Sequence, residues 1–171
     1  MARRSLPFEF TRRGYRCNLD PDERHLLRRL IGEVRELLST TTADDAKMSR
    51  LFPPAYLDDV DTEAQSEYEH FMRDELVASR LEAIMRVDEF LAEEGTSEVS
   101  AEDLDAFSRS LNSVRLVLGT LLDIDGQDDD ESPAGNVGHP NEMNLYNYLS
   151  WLLECAIAAR MKGWDSEHRK S

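Results

Sequence analysis

The sequence predicts a mostly α fold: a single-domain bundle of about five helices around a central helix, with a short N-terminal β-hairpin. Three observations carry this reading. Leu104, Phe107, Leu111, Val114, Leu118 and Leu121 recur at intervals of three and four, the seam of an amphipathic helix that buries one face. A matching seam of Leu145, Tyr148, Leu152, Cys155 and Ala159 closes the chain. Period-two alternation, the mark of a strand, is confined to the first twenty residues.

The arm comes first. Phe8 and Phe10 alternate with Glu9, Tyr15 and Cys17 alternate with Arg16, and Arg13-Gly14 supplies a turn between them. Asp20-Pro21-Asp22-Glu23 then reads as an N-cap, a proline at the first helical position and acids in the first turn. That helix runs to about Leu38, with Leu27, Leu30, Ile31, Val34, Leu37 and Leu38 inward and Arg24, Arg28 and Arg35 on an outer stripe. Ser39–Lys47 is a linker. Pro53-Pro54 forbids helix in R-L-F-P-P-A-Y-L-D-D, so Leu51, Phe52 and Tyr56 pin an extended segment onto the bundle.

Asp61 caps a helix through Met72, with Tyr68, Phe71 and Met72 facing inward and a break at Arg73-Asp74. A longer helix follows, using Leu76, Ala83, Ile84, Val87, Phe90 and Leu91, and Gly95 ends it. Ser100 caps the central helix over the N–H of Asp103, with Val99 placed as a hydrophobic staple. Past Val114 its apolar residues spread around the axis, so its second half is expected to be surrounded by protein. An acidic loop at 123–140 follows, then a last helix capped by Asn141 and ended by Gly163. The organisation is therefore 1–19 basic arm and hairpin, 20–164 helical domain, and 165–171 polar tail.

Charge and composition narrow the function. Residues 1–35 carry 9 Lys/Arg against 5 Asp/Glu, and the remainder 11 against 30, within a net charge of −15. Phosphate affinity comes from basic groups, so tight DNA binding by the acidic body is disfavoured. The basic arm leaves local contact open through Arg12, Arg13, Arg16, Arg24, Arg28 and Arg35. Arg24, Arg28 and Arg35 are more simply read as a solvated face paired with Asp20 or Glu33. No apolar run approaches the ~20 residues of a membrane span. With no secretory signal and only two distant cysteines, the chain reads as cytoplasmic.

Catalytic and cofactor motifs are not found. The four histidines show no ligand spacing, and no nucleotide-binding loop, nucleophile elbow or helix-turn-helix signature occurs. Asp123, Asp125, Asp128 and Asp130 suggest a calcium loop. Counted from Asp123, however, the sixth and twelfth places hold Asp128 and Ala134 instead of Gly and Glu. No metal and no cofactor is therefore expected. Arg115 stands where the central helix turns apolar, and a buried ion pair with a neighbouring acid is expected. Cys17 and Cys155 are the redox candidates. Arg16 and the adjacent helix N-terminus would lower the thiol pKa of Cys17 and make it the first oxidant target. Cys155 is then its resolving partner, if their Cα atoms approach within about 7 Å. The opposing reading makes Cys155 core packing and Cys17 either inert or a bridge between two molecules.

R-L-F-P-P-A-Y-L-D-D, S-L-N-S-V-R-L-V-L-G-T and Y-N-Y-L-S-W-L-L-E together resemble an actinobacterial oxidative-stress transcriptional regulator (AosR-like) family, long known only as a domain of unknown function. The resemblance covers nearly the whole chain, most specifically Arg109–Leu122. It implies a non-enzymatic cytoplasmic regulator of oxidative-stress or cysteine-metabolism genes, switched by cysteine oxidation. Its partners would be the transcription machinery or another protein, with DNA contact through the arm and a homodimer both open. The rival class is a non-catalytic interaction module linked to the ClpS protease adaptor or cysteine metabolism.

Overall fold

A short hairpin opens the chain. In the computed structural model, described here over residues 5–40, 51–52, 62–122 and 140–169, β1 (Phe8–Thr11) pairs antiparallel with β2 (Gly14–Cys17). Gly14 takes a φ of 128°, a value that favours glycine, and the Thr11 hydroxyl donates to its carbonyl at 3.0 Å. A third strand joins them: β3 (Ser97–Val99) pairs antiparallel with β2, aligning Cys17 with Ser97 and Tyr15 with Val99. The sheet order is β1-β2-β3, which leaves β1 at an edge. The expected hairpin is thus two strands of a three-stranded sheet, and Val99 is a strand residue, 6% exposed. Three residues are too few for alternation to show in sequence.

Four helices are present among the described residues, one fewer than expected: α1 (Pro21–Thr40), α2 (Thr62–Leu91), α3 (Ala101–Leu121) and α4 (Pro140–His168). Asp20 and Glu23 form a reciprocal cap on α1, Glu23 N–H to Asp20 Oδ1 at 2.8 Å and Asp20 N–H to Glu23 Oε2 at 3.0 Å. The missing helix is a missing break, because α2 passes through Arg73-Asp74 without interruption. At 1.5 Å per residue its 30 residues span about 45 Å, against about 31 Å for the 21 of α3. It therefore overhangs its partner. Tyr68 and Phe71, expected inside, are 55% and 65% exposed, and Leu76 is exposed with them.

The central position of α3 holds. Its Ser100 capping box is complete, and it packs against α1, α2 and α4. Leu104, Phe107 and Leu111 are fully buried, with Phe8 and Phe90 packed on the Phe107 ring. Its second half is less enclosed than its sequence predicts. Leu116, Val117 and Leu118 are half-buried and Leu121 is exposed, beside a groove of about 180 Å³ shared with Leu30, Val34 and Leu37 of α1.

Helix α4 begins at Pro140, so Asn141 lies in its first turn, and it continues past Gly163 to His168. Gly163 serves a packing role here: a Cβ at this position would collide with the Tyr15 hydroxyl. The part of the expected polar tail up to His168 is helical, with Trp164 stacked on His168 at 4.1 Å. The Asp61 cap, the Pro53-Pro54 segment and the acidic residues 123–139 lie outside the described residues. Phe52, just before the prolines, sits under two guanidinium groups of α2, Arg73 at 5.3 Å and Arg80 at 5.4 Å from its ring centre. Among the described residues no helix is long and apolar enough to cross a membrane.

Candidate functional site

Arg24, Arg28 and Arg35 of α1 do not share a face toward solvent. Arg24 follows the inner seam with Leu27, Ile31, Val34 and Leu38 and is 4% exposed. Its Nε donates to Leu19 O at 3.0 Å and Nη1 to Phe90 O at 3.0 Å. Nη2 reaches Gly95 O at 2.7 Å, Ser97 Oγ at 3.2 Å and Cys17 Sγ at 3.4 Å. Those acceptors are neutral. Two of them, Phe90 O and Gly95 O, lie at and just beyond the end of α2, where the helix dipole is negative and carbonyls lack intrahelical partners. One guanidinium thus caps α2 and ties it to α1, β2 and β3.

Arg28 is half exposed and spans to α2 as an ion pair with Asp88, Nε to Oδ1 at 2.8 Å. Arg28 also holds the Asp88 carboxyl below its ordinary pKa. Arg35 is exposed and adds a weaker field at the same carboxylate. Arg12 and Arg13 are exposed at the hairpin turn, and Arg16 points outward between Glu9 and Glu98 in register. The six sequence-predicted basic candidates are therefore divided: Arg24 is spent inside the fold, Arg28 is neutralised across α1 and α2, and Arg12, Arg13, Arg16 and Arg35 remain on the surface.

The cysteines also differ from expectation. Cys17 is fully buried, on the inward face of β2. Burial raises its thiol pKa, outweighing the lowering by the Leu19 backbone and by Arg24, so the neutral thiol prevails at neutral pH. The expected exposed and activated thiol is thus a sealed one. Arg16 contributes nothing to it, because alternation sends that side chain to the opposite face.

Cys155 is half-buried, and burial with the nearby Glu154 raises its pKa as well. Both thiols are free. Cys155 opens into a groove of about 470 Å³ between β1 and α4. Phe8, Cys155 and Ala159 form the floor, Leu6, Phe10 and Trp151 the apolar walls, and Glu9, Glu154 and Lys162 the charged rim. Leu6 and Trp151 are 48% and 44% exposed.

Among the described residues Arg115 makes no ion pair of the expected kind. Its Nε donates to Ser150 Oγ at 3.0 Å and Nη2 to Tyr146 OH at 3.3 Å, with the guanidinium over the Tyr146 ring at 5.1 Å. The position is only half-buried, so hydroxyls and a π face suffice where a fully buried charge would need a carboxylate. Sequence reasoning missed Arg80. It donates to Ser113 Oγ at 2.6 Å and Leu51 O at 3.1 Å, its Nε is buried without a partner, and burial lowers its pKa. Among the described residues no three His, Cys, Asp or Glu side chains are placed to hold a metal ion.

No curated protein and no solved structure matches the chain. One family does, over residues 4–160: Domain of unknown function (DUF2017). That match spans the sheet, α1, α2, α3 and most of α4, and the chain belongs to the DUF2017 family.

Proposed function

We propose that this chain is a redox-responsive transcriptional regulator of oxidative-stress or cysteine-metabolism genes, cytoplasmic and non-enzymatic, which acts through contact with a protein of the transcription machinery. The observation that carries the reading is the placement of Cys155, a half-buried free thiol in the floor of an apolar groove whose walls are exposed. Oxidation there by peroxide would convert a small apolar group into a polar sulfenic acid, releasing water, and change what the groove accepts. The resemblance to the AosR-like family supplies the regulatory context. The net charge of −15 and the internal use of Arg24 and Arg28 favour a protein partner over direct DNA reading. DNA contact is left to Arg12, Arg13, Arg16 and Arg35.

Two measurements test this. Peroxide treatment followed by mass analysis of wild type and Cys155→Ser should place the first oxidation at residue 155. A labelled promoter fragment titrated across a salt series, with and without RNA polymerase and its sigma factors, should show binding only in their presence. Oxidation at neither cysteine would refute redox sensing. The raised pKa of Cys155 favours a second reading, a non-catalytic interaction module linked to the ClpS protease adaptor or cysteine metabolism. Under that reading partner capture does not respond to peroxide.

A further inference from the structure

Helix α4 is apolar on two sides. Leu149, Leu152, Ala156 and Ala159 are buried against the bundle, as the inner face of an amphipathic helix should be. The outer face of such a helix is ordinarily polar. Here it carries Ile157, Met161 and Trp164, spaced by four and three and exposed to 45%, 63% and 55%. Together with Ser150, Glu154 and His168 they form two interleaved seven-residue series, 150–157–164 and 154–161–168. That is the seam along which one helix packs lengthwise on another. Tryptophan and methionine are also among the side chains in which protein interfaces are enriched. A helix that is apolar all round is ordinarily a buried one, so this seam is built to be covered.

We infer that the occupant is a second copy of this chain, whose α4 lies antiparallel across the first about a two-fold axis. Charge selects this face for self-association. The chain carries a net −15, yet residues 157–169 hold Arg160, Lys162 and Arg169 against Asp165 and Glu167, so like charge is weakest where the two copies touch. Charge also selects the orientation. A parallel pair would set Glu154 against Glu154 in the middle of the seam. An antiparallel pair with Ile157 opposite Met161 instead brings Glu154 of each copy beside Lys162 of the other. Both side chains are exposed, and among the described residues neither has an ion-pair partner within its own chain. Such self-complementary charge is what a two-fold contact, made by the same patch on both copies, requires. The area suffices as well. The open surface of Trp151, Ile157, Met161 and Trp164 is about 450 Å² per copy, so a symmetric pair removes about 900 Å² of apolar surface; the flanking Glu154, Ala158, Lys162 and His168 bring the total to the roughly 1,200 Å² at which stable interfaces begin.

This pairing does not depend on the functional reading above, and reductant kept in every sample prevents a disulfide between cysteines from holding two copies together. Sedimentation equilibrium of the full chain should give twice the 19.6 kDa of one copy. Met161→Glu places a charge at the centre of the seam on an exposed side chain, so it should yield a monomer with unchanged circular dichroism. Glu154→Lys and Lys162→Glu each replace two attractive pairs with two repulsive ones, and each should weaken the dimer about tenfold. An equimolar mixture of these two single variants restores both attractive pairs, and so does the double variant; each should dimerise as the wild type does. A wild type that remains monomeric up to about 100 μM overturns the proposal, because an interface of this size holds more tightly. So does a dimer that survives Met161→Glu, or charge variants that the mixture and the double variant fail to rescue.

Discussion

Replacing Arg24 with alanine should be among the most damaging single changes in this protein. The substitution strips hydrogen bonds from Leu19 O and Phe90 O, both buried against a residue that is 4% exposed, and from Gly95 O, which is part-buried. A buried acceptor left without a partner costs about 1–3 kcal/mol. Relief from holding a buried charge returns part of this, so the two buried acceptors and the part-buried one leave a net loss of about 2–4 kcal/mol. Against a domain stability of about 5–15 kcal/mol, that is a sizeable fraction of the total. Arg28→Ala is the internal standard. Its ion pair with Asp88 is 44% and 40% exposed, and such pairs contribute only about 0–1 kcal/mol. Urea unfolding followed by circular dichroism compares the two, and a disulfide-exchange reagent measures access to Cys17 in the same samples. Arg24→Ala should lower the midpoint several times more than Arg28→Ala and open Cys17 to the reagent. Equal losses for the two variants, or a Cys17 that stays sealed, would refute the view that one guanidinium joins α1, α2 and the sheet.

Gly163→Ala should cost about 1–3 kcal/mol through the collision with Tyr15, and Tyr15→Phe in the same background should recover part of it; thermal unfolding of the four variants shows whether the effects are coupled. The Asp88 carboxyl titrates below its ordinary value in the fold, so its stabilisation is present above the unfolded pKa of about 3.9 and is lost as pH falls through the lower folded value. Asp88→Asn should therefore flatten the acid limb of the stability curve below about pH 4 and, at 40% exposure, by no more than a few tenths of a kcal/mol. Iodoacetamide should label Cys155 well before Cys17 in the native protein, and because the Cys155 thiol is shifted upward its labelling rate should still be rising with pH where that of a free cysteine has levelled off; peptide mass mapping over time decides the order.

Much of the helical framework was legible because it rests on local chemistry. The Asp20-Pro21-Asp22-Glu23 start, the Ser100 capping box and the Leu104–Phe107–Leu111 seam all fold as their side-chain chemistry dictates. What failed was whatever depends on distant partners. Strand β3 is three residues long and exists because β2 presents an open edge to it. Gly163 has the look of a helix stop, yet the helix runs through it and the missing side chain makes room for Tyr15. Arg24 was placed outside by its charge, although its spacing to Leu27 and Ile31 puts it on the inner seam. Its acceptors at Phe90 and Gly95 are more than sixty residues away. Periodicity outranked polarity there, because a guanidinium surrounded by carbonyls can be buried without an anion. The same reversal separates the two cysteines: alternation in β2 buries Cys17, and a helix face at the edge of the bundle leaves Cys155 half open.

The late arrival of β3 has a consequence for the protein while it is being made. Strand β2 and the Cys17 thiol leave the ribosome early, but Ser97, which pairs with Cys17, and Phe90 and Gly95, which anchor the Arg24 side chain beside it, lie some seventy to eighty residues further on. At about 5–20 residues per second their synthesis takes roughly 4–16 seconds. Throughout that interval the nascent sheet lacks one neighbour, the Arg24 side chain lacks its far acceptors, and Cys17 is exposed to whatever oxidant surrounds the polysome. A sulfur that is inert in the finished molecule is thus vulnerable during translation. A modified Cys17 would carry added bulk into a site with no accessible surface left. Oxidative damage at this residue would then appear as lower yield of folded chains, with the mature population unaffected.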